Sequence, residues 1–279
     1  MTTLVGVDAG GTGSRAVVVR DGRVLQRREL GPLNVLLHAD AVDRLARLVS
    51  DVGATGAGLG LAGVRSAAQA ERIATAVSER TGARVVVGDD SDAALAGAFR
   101  GAPGIVVIAG TGSIAAGRAG DGRAARVGGH GFLLGDEGGG YWIGREAVRA
   151  ALRADDGLGP PSTLTAIVAA AYGGLGDAER VVHENPTDRA ALARLLPAVA
   201  VAATNGDGEA GRILAEAAGH LAELAGALRR TLGDLPVALS GGVFRCAPVR
   251  DAVVAATDGT DPAEPPELGA LRLLHQHVP

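Results

Sequence analysis

The sequence predicts an α/β protein built as two related domains that flank a cleft. A Gly/Thr/Ser turn between two β-rich runs occurs twice, as Gly11-Thr12-Gly13-Ser14 closed by Asp21-Gly22-Arg23 and as Gly110-Thr111-Gly112-Ser113 closed by Asp121-Gly122-Arg123. Each copy follows an apolar run, Leu4 to Val7 in one case and Ile105 to Ile108 in the other. Each therefore reads as strand, turn, strand, Asp-Gly turn, strand. The chain's 279 residues suffice for one large core or two ordinary ones. Strands and helices mixed in sequence, with a strand meander opening each half, favour two layered α/β domains.

In the first domain, taken as 1–100, the run after the first turn is Ala16-Val17-Val18-Val19. A Rossmann or P-loop site would place a helix there, and this composition is strand. Val42, Leu45, Leu48, Val49 and Val52 then recur at helical spacing, followed by a short strand from about Ala57 to Leu61. Ser66 and Gln69 have capping-box spacing for a helix that Gly82 ends. Arg84 to Val87 is the next strand, stopping at Gly88-Asp89-Asp90, and a small-residue helix runs on to about Phe99. Gly101-Ala102-Pro103-Gly104 is the linker candidate, because the strand pattern restarts after it.

The second domain, 101–279, repeats the opening and then inserts a Gly-rich stretch from Gly128 through Asp136-Glu137 to Gly140, before a helix near Tyr141. Helical sequence follows, including a long amphipathic segment from Asp207 to Leu232 ended by Gly233. Val237-Ala238-Leu239 reads as a buried strand leading into Ser240-Gly241-Gly242, and a helix carries Val249, Val253 and Val254. The last helix, about Leu268 to His275, is free to pack back on the first domain.

Composition removes several function classes. Charged residues are 21%, the net charge is -4 and aromatics are 2%, so neither a basic field nor stacking platforms for nucleic acid are present. All 27 basic residues are Arg, which excludes a P-loop lysine and the strand lysine of protein kinases. The single Cys246 excludes an internal disulfide and a multi-cysteine zinc site. His275 and His277 fall on different faces of a helix, so no metal pair is expected there. The N-terminus enters a strand with no basic segment or apolar signal core, and no run has the length of a membrane span. The expectation is a cytoplasmic protein without nucleic-acid or membrane partners.

The twin loops carry the chemistry. Backbone amides of Gly10, Gly11, Thr12, Gly13 and Ser14, and of Gly110, Thr111 and Gly112, can converge on phosphate oxygens; either loop alone could equally be a tight hairpin. Their pairing points to a nucleotide in the cleft. Asp8, at the strand end before the first loop, suits holding a water of hydrated Mg²⁺, or else opens an Asx turn. Asp90 ends a strand and begins a helix, where a carboxylate can accept a hydroxyl proton during phosphoryl transfer; Asp92 competes for that role, and Asp89, Asp90 and Asp92 together could instead be an acidic helix N-terminus. Asp136 and Glu137 in the Gly-rich stretch can accept hydrogen bonds from sugar hydroxyls, and Asn34 is a further hydroxyl-binding candidate or a turn residue. Gly241-Gly242 can pass close to an adenosine, or serve a strand–helix junction.

These pieces in this order resemble the actin-like ATPase and sugar-kinase superfamily, and within it the N-acetylglucosamine kinase and BadF-type ATPase group. The matching residues are Gly6 to Thr12, Asp89-Asp90 before Ala93 to Ala98, Ile108 to Ile114, Gly128 to Gly138, Tyr141 to Gly144 and Leu239 to Val243, with Gly128 to Gly144 the most specific. The resemblance implies duplicated ribonuclease-H-like domains with the nucleotide cleft between them, ATP and Mg²⁺ as cofactors, and a homodimer. It implies Asp90 as the base, and a substrate set of Asn34, Asp90, Ser113, Gly129, His130 and Asp136. The two Thr/Gly loops would hold the phosphates and Gly241-Gly242 would border the adenosine. Gly13 stands where these kinases often carry Lys or Arg, His130 replaces a common Trp, and the region between Gly173 and Gly206 is short or variable beside larger relatives.

The expected activity is therefore transfer of the ATP γ-phosphate to N-acetylglucosamine or a close relative such as glucosamine. Two alternatives stand beside it. A BadF-type reductase activator needs cluster thiolates, of which a dimer would have only two. A non-catalytic nucleotide switch would have no need of Asp90 as a base.

Overall fold

The structure is a computed structural model that describes residues 1–185 and 187–276; His277 of the C-terminal histidine pair lies outside the described residues. The chain forms two compact units, Met1–Val106 with Asp261–Pro279, and Val107–Thr260. The boundary thus falls beyond residue 100 and within a strand, and the C-terminal segment returns to the first unit.

The first unit runs β1 (Thr3–Ala9), β2 (Ser14–Arg20), β3 (Arg23–Leu30), α1 (Ala41–Asp51), β4 (Gly56–Leu61), α2 (Ala67–Thr81), β5 (Arg84–Asp89) and α3 (Asp90–Ala98). Its sheet has the order β3-β2-β1-β4-β5, antiparallel among the first three strands and parallel from β1 to β5. Asp21 and Gly22 both take positive φ, 48° and 80°. That is the two-residue turn whose twist matches a hairpin. One sheet face presents Val5, Val7, Ala9, Ala57, Leu59 and Leu61 to Leu45 and Val49 of α1 and Ile73 and Val77 of α2. Period-2 alternation places Gly6 and Asp8 of β1, and Gly56, Gly58 and Gly60 of β4, on the other face.

The second unit begins within β6 (Gly104–Ala109) and continues with β7 (Ser113–Arg118), β8 (Ala124–Gly128), α4 (Gly140–Asp155), α5 (Leu164–Tyr172), α6 (Leu175–Glu184), α7 (Arg189–Ala193), α8 (Leu196–Thr204), α9 (Gly208–Leu232), β9 (Val237–Ser240) and α10 (Ala247–Thr257). Its sheet order, β8-β7-β6-β9, repeats the β3-β2-β1-β4 order of the first unit. The repeat is not identical in detail. The link from β7 to β8 spans 119–123, with Ala119 N–H donating to the Arg123 carbonyl, and at Asp121-Gly122 only Gly122 has positive φ. Asp207 caps α9 by accepting from Ala210 N–H at 3.0 Å and also takes the Thr163 N–H at 2.6 Å, which ties the start of α5 to the long helix.

The chain's last helix, α11 (Pro266–Gln276), lies on the glycine face of the first sheet. A Cβ on Gly6 would stand 2.8 Å from Leu271 Cγ, and one on Gly58 would stand 2.6 Å from the Ala270 carbonyl carbon. Helix backbone therefore touches strand backbone. Among the described residues, no helix is long and apolar enough to cross a membrane.

Candidate active site

In the first unit, the carboxyl ends of the parallel strands β1, β4 and β5 gather the expected residues, as ligand-binding edges of α/β sheets do. The first loop is closed by Gly10 N–H donating to the Gly13 carbonyl at 3.2 Å, and the Gly10 carbonyl accepts from Leu33 N–H at 3.0 Å. That second bond brings Asn34 beside the loop. Asn34 Oδ1 accepts from Leu36 N–H at 2.9 Å, so its carbonyl end forms an Asx turn. Ser14 is buried and its Oγ has no hydrogen-bond partner among the described residues. By register Ser14 opposes Ala9, on the face that packs against α1 and α2.

Asp90 occupies the first position of α3 and Asp89 is its N-cap. Asp89 Oδ1 accepts from Ser91 N–H at 2.9 Å and from Ser91 Oγ at 2.6 Å, while Asp92 Oδ2 reaches back to Asp89 N–H at 3.1 Å. This capping box commits Asp89 and Asp92 to the helix end. Asp90 stands outside the box, and its Oδ1 shares the Ser91 N–H with Asp89, at 3.0 Å. Burial, then the Asp89 charge and hydrogen bond and the Asp8 charge, push the Asp90 carboxyl up to about 8, against an opposing bond from Ser91 N–H. Asp8 stands in register with Arg15 on one side and Gly60 on the other. Burial and the Glu267 charge raise it to about 6, with Arg15 opposing.

Two repelling carboxyls held above their ordinary range are what a cation would relieve. Among the described residues, no three His, Cys, Asp or Glu side chains are placed to hold a metal ion. The donor set fits Mg²⁺ held through its own waters by few carboxylates, and not a protein cage.

In the second unit, the second loop is stitched to α4. The Gly110 carbonyl accepts from Gly140 N–H at 2.8 Å and the Thr111 carbonyl from Tyr141 N–H at 3.0 Å. The first α4 amides are thus taken by the loop. Asp136 is buried with φ of 65°. Burial raises its carboxyl above the ordinary range, opposed by Ser113 N–H and by Arg189. A Cβ on Gly112 would stand 2.6 Å from Asp136 Cγ, so glycine is required where this side chain lies. Ser113 Oγ donates to the Glu137 carbonyl at 2.6 Å and so holds the loop. Gly129 and His130 are exposed. Glu137, beside Asp136 in sequence, instead lines a groove of about 630 Å³ with Val127, His220, Leu224 and Arg230.

Residues 5–263 match the sequence profile of the BadF/BadG/BcrA/BcrD ATPase family. The chain belongs to that family. Its relatives include an N-acetylmuramic acid/N-acetylglucosamine kinase of Clostridium acetobutylicum, 33% identical over 59% of this chain and 58% of that protein. A glucosamine kinase of Vibrio cholerae is 30% identical over 60% of each chain. The aligned part thus spans about 58–60% of the length of these two curated relatives. A solved structure of a candidate N-acetylglucosamine kinase from Chromobacterium violaceum superposes with TM-score 0.86 at 32% identity, covering 98% of this chain and 99% of that one. A ROK family glucokinase from Streptomyces griseus shares the fold at TM-score 0.63 and 19% identity, over 98% and 99% of the two chains. The α/β actin-like ATPase fold expected from the sequence is therefore the fold of this BadF-family chain.

The two glycines expected at the adenosine differ in this family member. Gly241 has φ of 111°, and a Cβ there would stand 2.6 Å from the Ala109 carbonyl carbon. Backbone approach dictates that glycine. Gly242 is exposed with open space around it. Arg189 was not foreseen: it pairs with Asp136 at 3.9 Å and lies 5.8 Å over the Phe132 ring, itself edge-on to Tyr141. It lies in the segment read as variable, and nothing in its spacing linked it to residue 136.

Proposed function

We propose that this protein is an ATP-dependent amino-sugar kinase acting on N-acetylglucosamine or a close relative such as glucosamine. The observation that carries the reading is Asp90: a carboxylate at a sheet's carboxyl edge, left out of the capping box and raised to about 8. A base poised near the operating pH is what hydroxyl attack requires. The names of the Clostridium and Vibrio relatives supply the substrate class. In the reaction a sugar hydroxyl oxygen bonds to the γ-phosphorus, the bond to the β–γ bridging oxygen breaks, the hydroxyl proton passes to Asp90, and ADP leaves.

The first unit supplies the base, Asn34 toward a sugar hydroxyl, Asp8 and the Gly10–Ser14 loop. The loop's backbone amides would face the phosphates, and Mg²⁺ bound through Asp8 would neutralise phosphate charge. The second unit supplies Asp136 to the sugar, with Ser113 and Gly129 shaping its loop and His130 at its rim. Gly110–Gly112 and Gly241-Gly242 serve the nucleotide. A homodimer and a cytoplasmic location belong to the same reading. The activator alternative is disfavoured further by Cys246, which is buried with its thiol raised by burial.

A panel of sugars with Mg²⁺-ATP tests the reading directly. Phosphorylated N-acetylglucosamine or glucosamine is expected, and no product from any sugar would sink it. Asp136→Asn probes the second unit's part. Asparagine keeps the shape without the charge, and loss of a charged hydrogen bond to a sugar hydroxyl should raise the sugar KM by about 10- to 100-fold. The ATP KM should move far less. Equal rises in both would remove Asp136 from the sugar.

A further inference from the structure

Arg189 has no part in the reaction described above, yet its setting is built from several sides. It opens α7, which Asp188 caps by accepting Ala191 N–H at 3.1 Å. Two glycines of α4 let that short helix approach closely: a Cβ on Gly140 would stand 3.2 Å from Ala193 Cβ, and one on Gly144 would stand 2.5 Å from the Leu192 carbonyl carbon. The Tyr172 hydroxyl of α5 donates to the Ala191 carbonyl at 2.8 Å. The α7 backbone is thus seated by α4 and α5, and its first side chain reaches the loop that carries Asp136. The Arg189 guanidinium lies 5.8 Å over Phe132, whose ring stands edge-on to Tyr141 at 5.2 Å, and one of its nitrogens is 3.9 Å from Asp136 Oδ2. Asp136 is only 6% exposed. A carboxylate buried to that degree needs a cation or several donors to stay ionised. Ser113 N–H offers Oδ1 a long bond at 3.4 Å, and Glu137 beside it has the wrong sign. His130 of the same loop is exposed, and His220 and Glu223 of α9 line the groove with Glu137. Among the described residues, Arg189 is the cation that pairs with Asp136.

We propose that Arg189 is a positioning residue for the sugar: held by α7 over Phe132, it keeps the Asp136 carboxylate charged and fixed in its loop, ready to accept a sugar hydroxyl. The proposal rests on the kinase reading for its sugar, but its test is separable. At 3.9 Å the pair is too long for a hydrogen bond. Arg189 therefore steadies the carboxylate by charge and leaves its lone pairs for a ligand. Arginine suits this task, because its planar cation stacks on an aromatic ring and keeps its charge at every working pH. Burial pushes the Asp136 carboxyl up, and Ser113 N–H and Arg189 pull against it.

A double-variant cycle on the sugar KM, at saturating Mg²⁺-ATP, tests this. Arg189→Met alone should raise the sugar KM about tenfold, a size that coupled neighbours commonly reach, with kcat and the ATP KM little changed. In the Asp136→Asn background, which has no charge to hold, the same change should add almost nothing. Arg189→Lys should recover most of the lost affinity, because it returns the charge. Carbon-13 NMR of the Asp136 carboxyl in the sugar-free protein, assigned by its loss in Asp136→Asn, reads the cause. A nearby cation favours the ionised form, so Arg189→Met should move that titration to higher pH. A contact that merely tethers α7 would lower Tm, act equally in both backgrounds and leave the titration in place. Additive effects in the cycle, or an unmoved titration in Arg189→Met, overturn the proposal. Should Arg189→Met not fold, Arg189→Gln carries the same two readouts. A wild type that phosphorylates no sugar would end the kinase reading, and the carboxyl titration would then decide whether Arg189 holds Asp136 charged. Phosphorylation with additive effects would end this inference alone.

Discussion

Asp90→Asn should abolish turnover and stabilise the protein at once. Removing a base that accepts the hydroxyl proton costs about a thousandfold in kcat, the middle of the range for general-base catalysis. The stability gain follows from the sign of the pKa shift. The Asp90 carboxyl is raised from 3.8 to about 8, so between those values the folded state holds a proton that the unfolded state has released. Stability is then greatest below about pH 4 as far as this group is concerned, and it falls as pH rises through that window. Asp8, raised to about 6, adds to the fall between pH 4 and 6. Asparagine keeps the shape without the charge. At pH 8 it should melt higher than the native protein, the raised carboxyl pKa setting the sign. At pH 4 the gain should vanish, because the native carboxyl is already protonated. Thermal melts of both proteins at pH 4, 6 and 8 measure this. A variant that melts lower at pH 8, or keeps near-normal turnover, removes Asp90 from the role of base. The same base predicts that kcat/KM rises with pH toward about 8 before levelling.

The Asp90 placement was open to sequence reasoning because it depends on local signals, an apolar strand ending in Gly88 and a small-residue helix beginning at once. What sequence left open was the choice between Asp90 and Asp92. Both accept a backbone N–H, Asp92 from Asp89 and Asp90 from its neighbour Ser91, and what divides them is that the Asp92 bond closes the capping box. The capping spacing from Asp89 to Asp92 was itself a signal for this, obscured by a third carboxylate between them. The twin strand-turn-strand openings were legible for the same local reason, and so were the Ser66 cap and the Gly82 stop of α2. Arg189 and Glu267 were not legible. Each meets its partner across long sequence separation, and their own neighbourhoods are ordinary helix starts. The two repeats also look more alike in sequence than in structure. The Gly110 and Thr111 carbonyls are spent on α4 and Ser113 Oγ donates to the Glu137 carbonyl, whereas the first loop leaves Ser14 Oγ unpaired among the described residues.

The return of α11 to the first unit had a signal too, in the Gly-Ala-Gly-Leu-Gly-Leu alternation of β4. Glycine weakens a strand interior, so three at period two require a reason, and close approach of another backbone is the usual one. Gly58→Ala tests this with the largest stability effect expected. The new Cβ would meet the Ala270 carbonyl, a backbone group that cannot swing aside as a side chain would. Either α11 lifts from the sheet or the strand shifts, and overpacking of that kind should cost about 3 kcal/mol or more, roughly 6–12 °C in Tm. Gly211→Ala is the matched control. It lies inside α9 with nothing within 4 Å of a new Cβ. There alanine's helix preference alone acts, and Tm should rise with a gain of up to about 1 kcal/mol. If both alanines were neutral, the glycine face would not be what seats α11. Opposite signs would show that a glycine's worth in this chain is set by what its missing Cβ would strike.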